Sequence, residues 1–264
     1  MILCLDAGNS SLKLVTYADG SVLERQQWHY SADSSALQNW LQTIVAKVQV
    51  ILGSCVANAD TQAFIEAIVN EPIHWATSTS ECSGVVNAYA QPENLGVDRW
   101  LTLLASHCAL QQPTLTIDHG TALTFDWLTA AGQHLGGWIT PGERLMRNSL
   151  NTATSRVRTG LENNAENATL APAVNTQAGV SLGIYAALTG AVRQAINTSE
   201  QCFGTRRFAI VETGPTSLCQ PLSYDADYYY KKDLVTLGLL LWGQSQDLLD
   251  LTDIEISRLF NWKE

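Results

Sequence analysis

Long hydrophobic runs are missing from this sequence. No stretch approaches the roughly 18 apolar residues of a membrane-spanning helix. The most apolar late segment, Leu237 to Leu241, is interrupted by Gly238. Basic clusters are missing too, since nothing exceeds the pairs Arg206-Arg207 and Lys231-Lys232. With 15 Lys and Arg against 25 Asp and Glu, the net charge is -10. Affinity for a nucleic-acid backbone comes from clustered cations, so neither a nucleic acid nor a membrane is expected as a partner. A small anion stays compatible with this charge, because backbone N–H groups can hold one. Charge is scarce altogether, at 15% of the chain against 46% hydrophobic residues. Disorder needs the opposite balance. At about 150 residues per domain, 264 residues make one large or two modest folded domains.

Neither C-x-x-C nor H-E-x-x-H occurs, which leaves a structural zinc or zincin site without support. Cys4, Cys55, Cys82, Cys108, Cys202 and Cys219 are scattered, mostly in apolar surroundings, and are expected as free thiols. The apolar run before Asp6 is too short for a secretion signal and follows no basic residue. The expectation is a cytoplasmic protein.

Two stretches of the chain share a grammar. Residues 2–6 are apolar and end in Asp6; Leu12, Leu14 and Thr16 then alternate with Lys13, Val15 and Tyr17. Asp19-Gly20 marks a hairpin turn, and 21–30 reads as a third strand. A helix is expected behind Ser34-Ser35, then a strand over 49–56, a helix over 59–69 and a strand over 73–77. Later, Thr114 to Asp118 is a strand, Thr121 to Leu128 alternates, and His134 to Thr140 is a third strand. Helices follow near 143–153 and 175–197, then a strand at 207–211 and a helix near 233–248. Residues 155–174 read as a long loop. Asp6-x-Gly8-Asn9-Ser10 answers Asp118-x-Gly120-Thr121-Ala122 at an offset of 118 − 6 = 112. A repeat this long predicts two duplicated α/β domains, over 1–112 and 113–264.

A carboxylate at a strand end followed by glycine has two readings. One is an Asx-turn closing a hairpin, with glycine at positive φ. The other is a phosphate hairpin. There the glycine lets backbone approach phosphate, Asn9, Ser10 and Ser11 donate hydrogen bonds, and Asp6 holds Mg²⁺ or another divalent cation through water. Lys13 is either a point charge for phosphate or a solvated strand lysine. The G-x-x-x-x-G-K-[ST] loop and the G-x-G-x-x-G dinucleotide fingerprint are both absent, so nucleotide binding of those kinds is not expected.

The repeated hairpins resemble those of the actin-like ATPase superfamily, with its ribonuclease-H-like domains, interdomain nucleotide cleft, and sugar and acetate kinases. Further motifs sharpen this. Gly96-Val97-Asp98-Arg99 precedes a helix, and Asp118-His119-Gly120-Thr121-Ala122 comes after it. Then come Gly136-Gly137-Trp138-Ile139-Thr140-Pro141-Gly142 and Asn175-Thr176. The series resembles type III pantothenate kinase from residue 1 to about 245.

The resemblance implies ATP-dependent phosphorylation of pantothenate, first in coenzyme A biosynthesis, by a homodimer. It implies ATP contacts from Asp6, Ala7, Gly8, Asn9, Ser10, Ser11, Leu12, Lys13 and Thr121. It implies a pantothenate pocket from Tyr89, Gly96, Val97, Asp98, Arg99 and Thr176, with Asp98 accepting the proton, and a K⁺ or NH₄⁺ ion at Asp118. Other readings stay open. Asp98 suits a helix N-cap, Arg99 a surface ion pair, and Thr176 a first helical turn behind Asn175. Gly136-Gly137 and Pro141-Gly142 could simply close hairpins. Thr213-Gly214-Pro215-Thr216 departs from the family's Thr-Gly-Gly-like turn on the adenine side. Another actin-like-fold kinase, or a non-catalytic regulator of the same fold, remains the alternative.

Overall fold

The computed structural model describes residues 1–154, 157, 171–215, 217–219 and 225–262. Most of the expected 155–174 loop, and Thr216, lie outside the described residues.

The chain opens with β1 (Ile2–Ala7), β2 (Ser11–Ala18) and β3 (Ser21–His29). It continues through α1 (Ser35–Val45), β4 (Val50–Cys55), α2 (Ala59–Val69) and β5 (His74–Trp75). These strands form one sheet in the order β3-β2-β1-β4-β5. β1 is antiparallel to β2 and parallel to β4, and α2 is the crossover between the parallel neighbours β4 and β5. Asp19 and Gly20 both have positive φ, at 49° and 70°, as a tight two-residue hairpin requires. Asn58 caps α2 by accepting from the Thr61 N–H at 2.9 Å.

A short β6–β7 ribbon (Glu81–Cys82 and Val85–Val86) leads to α3 (Val97–Leu110). Then the strand pattern returns as β8 (Thr114–His119), β9 (Ala122–Leu128) and β10 (His134–Pro141). α4 (Glu143–Ala153), α5 (Thr176–Phe203), β11 (Ala209–Thr213), β12 (Asp227–Tyr230), α6 (Leu234–Ser245) and α7 (Asp253–Phe260) complete the chain. The second sheet has the order β10-β9-β8-β11-β12, the first sheet's topology repeated. β8 begins and ends 112 residues after β1, as 114 − 2 and 119 − 7 show.

The residues cluster into two compact units. One contains Met1–Thr114, Leu128–Gly136 and Asp233–Glu264; the other contains Leu115–Trp127 and Gly137–Lys232. A cut at 112/113 follows the sequence repeat, whereas the first unit also takes in the β9–β10 turn and the final helices. The reason for the latter lies in α6, which is apolar nearly all round. It packs against β1, β4 and α3 and so covers the sheet face away from α1 and α2. Gly238 is required there, because a Cβ would lie 2.1 Å from the Leu101 carbonyl oxygen. Tyr17 on β2 and Thr236 on α6 share a buried hydrogen bond of 2.7 Å. α3 is buried on nearly every side, with Trp100, Leu101, Leu103, Leu104 and Ala105 all inside.

In the second unit, Leu115, Ile117, Leu123, Phe125 and Trp127 pack on Ile184, Leu188 and Val192 of α5. The 184-188-192 spacing is one helix face. All six cysteines are free, and burial pushes the Cys108 thiol up to about 11. Among the described residues, no helix is long and apolar enough to cross a membrane.

Candidate active site

The first hairpin joins β1 to β2. Asp6 is buried at 7% exposure, and Asn9 at the tip is exposed. Asp6 and Lys13 are direct register partners, with Lys13 Nζ 3.5 Å from Asp6 Oδ2. Burial raises the Asp6 carboxyl above the usual range, and the Lys13 charge and hydrogen bond oppose that rise. The Gly8 N–H donates to the Ser11 carbonyl at 3.1 Å. Ser11 Oγ accepts from Gln27 Nε2 at 3.1 Å and keeps its own proton to donate.

The two glycines speak against the reading that needs positive φ. Neither Gly8 nor Gly120 has positive φ. A Cβ on Gly8 would meet only the Ser11 carbonyl oxygen at 3.6 Å, and one on Gly120 would find its nearest atom at 3.8 Å. Nothing inside the protein therefore demands glycine at either place. The open space beside each backbone suits the approach of a ligand. Gly142 is different: its Cβ would lie 2.4 Å from the Gly120 carbonyl oxygen, so close packing, not ligand approach, explains it.

Tyr30 carries no motif that would single it out in the sequence. Its hydroxyl is buried without a hydrogen-bond partner. Burial, with the Cys55 and Asp6 charges, pushes its pKa up to about 12. It therefore stays neutral near Asp6 and keeps a proton to donate.

The Gly96-Val97-Asp98-Arg99 segment lies in the same unit. Gly96, and not Asp98, is the N-cap of α3. Asp98 sits in the first turn, and its Oδ1 accepts the Arg99 N–H at 2.7 Å. A Cβ on Gly96 would lie 2.7 Å from that Oδ1. The Gly-x-Asp spacing thus makes room for a carboxylate folded back over the helix start. Arg99 is no surface residue: it is 4% exposed. Its Nη1 donates to the Tyr89 hydroxyl at 3.0 Å. Val97 is buried.

In the second unit, Asp118 is half-buried near the end of β8, and Thr121 follows Gly120 in the turn to β9. The Thr121 carbonyl accepts the Gly142 N–H at 3.0 Å. This turn is one residue shorter than the first, since 122 − 11 = 111 at the start of the second strand. The burial alternation of β9 matches that of β2 at this offset, which places Thr124 where β2 has Lys13. Thr176 is exposed at the first position of α5, behind the Asn175 cap that accepts from the Ala178 N–H at 2.9 Å. Among the described residues, no hydrogen bond joins Thr176 to another candidate.

Beyond β11, Gly214 has φ of 132° and would carry a Cβ 2.3 Å from the His119 carbonyl oxygen. Fully buried Glu212 anchors the segment after it. It accepts from Ser217 Oγ at 2.6 Å, the Leu218 N–H at 2.6 Å and the Tyr228 hydroxyl at 2.6 Å. Tyr230 donates its hydroxyl to the Gly214 carbonyl. Glu212 is one acid in the apolar run of β11, a pattern that could have signalled a buried network.

The family described as type III pantothenate kinase matches residues 2–198. A type III pantothenate kinase from Idiomarina loihiensis is 34% identical over 256 residues, covering 91% of this chain and 97% of its own. One from Halorhodospira halophila is 32% identical over 260 residues, covering 93% and 99%. Among solved structures, one from Sinorhizobium meliloti described as a 2-dehydro-3-deoxygalactonokinase aligns with TM-score 0.56 at 13% identity, covering 94% and 100%. One from Campylobacter jejuni described as a Baf family transcriptional activator aligns with TM-score 0.54 at 18% identity, also covering 94% and 100%. These likenesses, with the repeated sheet order, establish the duplicated actin-like ATPase and sugar-kinase fold.

Proposed function

The chain belongs to the type III pantothenate kinase family, and from that membership and the site geometry we propose that it phosphorylates pantothenate with ATP. The product is 4′-phosphopantothenate, in the first step of coenzyme A biosynthesis. The observation that carries the reading is the arrangement of Gly96, Asp98, Arg99 and Tyr89. An acid sits at a helix start, its Oδ1 on the Arg99 N–H, beside a buried cation and a phenol.

In this reading the acceptor's primary hydroxyl gives its proton to Asp98 as its oxygen bonds to the γ-phosphorus, and the bond to the ADP oxygen breaks. Arg99 and Tyr89 orient the acceptor, with Gly96 and Val97 shaping the pocket and Thr176 adding a hydroxyl. Asp6 to Lys13 and Thr121 hold the phosphates. Open glycines and hydroxyl donors fit that task. Mg²⁺ or another divalent cation, when bound, neutralises phosphate charge. Asp6 offers the hard oxygen donor it prefers. A K⁺ or NH₄⁺ ion at Asp118 would offset the repulsion between that acid and the phosphates.

The homodimer reading is supported by β10. It is an edge strand with Trp138 and Ile139 exposed, and Leu145 of α4 is exposed as well. Six free thiols fit a cytoplasmic setting.

The test is ADP release with pantothenate, with a panel of sugars and short acids, and with no acceptor. Pantothenate-dependent release supports the proposal. Release only with a sugar would make the chain a different kinase of this fold, and no release would favour a regulator.

A further inference from the structure

His134 takes no part in the phosphoryl transfer, yet it touches the acceptor segment at two points. It is 1% exposed at the start of β10. Its ring lies nearly parallel to that of Tyr89, with an interplanar angle of 13° and centroids 6.2 Å apart. Its Nδ1 accepts the Ala88 N–H at 3.4 Å, one residue before Tyr89. The turn before it is fastened to the same segment. The Val86 N–H donates to the Gly132 carbonyl at 2.9 Å. Gly132, with φ of 80°, would carry a Cβ 1.9 Å from the Gly84 carbonyl oxygen, so no other residue fits. Asn87 Oδ1 accepts the Tyr89 N–H at 3.0 Å. Asn87 Nδ2 donates to the Thr79 and Pro92 carbonyls at 3.2 Å each. The backbone is thus held at two successive N–H groups, Ala88 by His134 and Tyr89 by Asn87, and His134 stacks on the Tyr89 ring.

We propose that His134 is a positioning residue for pantothenate: its imidazole fixes the Ala88 N–H and the Tyr89 ring, and through the Tyr89 hydroxyl it sets Arg99 in the acceptor pocket. Accepting at Nδ1 requires an imidazole without a proton there, so a proton on the neutral ring sits at Nε2. A phenol that is oriented before substrate arrives saves ordering cost on binding. The effect therefore belongs to acceptor affinity and not to phosphoryl transfer. The inference rests on the pantothenate reading, and its test is built so that the two can fail separately.

Two variants divide the contact. His134→Asn keeps an acceptor near the Nδ1 position and removes the ring, and His134→Phe keeps a ring and removes the acceptor. In folded protein, each is expected to raise KM for pantothenate about 3- to 10-fold, with kcat and KM for ATP within about twofold of wild type. The effect of His134→Asn should vanish in a Tyr89→Ala background, because Tyr89 carries it. Unchanged pantothenate KM, or an equal rise in KM for ATP, would overturn the proposal. So would an undiminished effect in the Tyr89→Ala background. A crystal structure of His134→Asn gives the readout that needs no substrate. A displaced Tyr89 ring and a lost Tyr89–Arg99 hydrogen bond are expected, and an unmoved ring would refute the positioning even if pantothenate proves not to be the acceptor. Wild-type protein inactive on pantothenate would sink the functional reading alone.

Discussion

Asp6 and Lys13 face each other across β1 and β2, 3.5 Å apart between Oδ2 and Nζ. The acid is buried and its partner half-exposed, so the pair is lopsided. Burial raises the Asp6 pKa and outweighs the lowering by Lys13. A raised folded-state pKa means that ionised Asp6 costs stability. That penalty is absent below the ordinary carboxylate range, and it grows as pH rises from there through the folded value.

Asp6→Asn removes the penalty. Ligand-free Asp6→Asn is expected to melt higher than wild type at pH 7, by roughly 2–4 °C for each kcal/mol regained. The gain should shrink when melting is repeated below the carboxylate range. Calorimetric titration should show ATP with Mg²⁺ binding more weakly. A lower Tm at pH 7 would mean that the Lys13 pairing outweighs the burial after all.

The second hairpin lacks the lysine of the first, since Thr124 occupies the place of Lys13. If phosphate binds as proposed, its acid, Asp118, lies near it without a lysine at that position, and a monovalent ion is the expected substitute. Activity should rise with K⁺ or NH₄⁺ over Na⁺, and Asp118→Asn should weaken that response along with the rate. Thr124→Lys is the sharper variant. It should retain activity in Na⁺-only buffer and lose most of the K⁺ stimulation. Equal wild-type rates in all three buffers would remove the ion from this site.

Ile139 is 64% exposed on the edge strand β10, and Leu145 is 42% exposed on α4. Of the eight tryptophans, only Trp138 is exposed, and it stands next to Ile139 on β10. Wild-type protein is expected to sediment as a dimer at micromolar concentration. Ile139→Lys with Leu145→Lys should shift it to monomer at least roughly tenfold more readily, since two buried charges cost well over 1.4 kcal/mol. A fully active wild-type monomer would end the dimer reading.

Periodicity decides how much of the fold is legible in the sequence. The three-strand meanders, α2 and α4 carry alternation or helical spacing within their own residues, and they stand where that spacing puts them. The expected strand at 207–211 lies at Ala209–Thr213. There, Arg206-Arg207 precedes the apolar run without belonging to it. α5 runs on to Phe203, past Asn197-Thr198-Ser199, which look like a stop. Ser199 is helical because its hydroxyl bonds the Ala195 carbonyl at 2.9 Å and accepts from Trp127 Nε1 at 2.8 Å, a partner 72 residues away. β12 is Asp-Tyr-Tyr-Tyr, an edge strand defined by pairing with β11. α7 had a readable signal in Thr252-x-x-Glu255, a complete capping box. Among the candidate residues, Asp6, Asp98, Arg99 and Asp118 stand out by motif. His134 gains meaning only from Ala88, 46 residues away, and from the neighbouring Tyr89 ring, and Tyr30 only from its burial near Asp6.

Chemistry and helix capping make different demands at Asp98. Were Asp98 the cap of α3, Asp98→Asn would be nearly silent, because asparagine caps about as well as aspartate. The cap position belongs to Gly96. Asp98 instead holds its carboxylate over that glycine through the Arg99 N–H. Asparagine can keep this hydrogen bond with its carbonyl oxygen but cannot take a proton. Asp98→Asn should therefore fold with unchanged Tm and bind ATP normally. Its kcat on pantothenate should fall by at least roughly 100-fold, the low end of general-base loss. Gly96→Ala supplies a second, independent probe. Its methyl group would press on Asp98 Oδ1 at 2.7 Å and turn the carboxylate aside without deleting it. A kcat loss of roughly 10-fold is expected, smaller than for Asp98→Asn because the base survives in a poorer position. Stopped-flow or steady-state assays of the pair would check both. If Asp98→Asn turns over at the wild-type rate, the carboxylate is not the base, whatever Gly96→Ala does. If only Gly96→Ala is slow, the pocket's shape and not its acid controls the step.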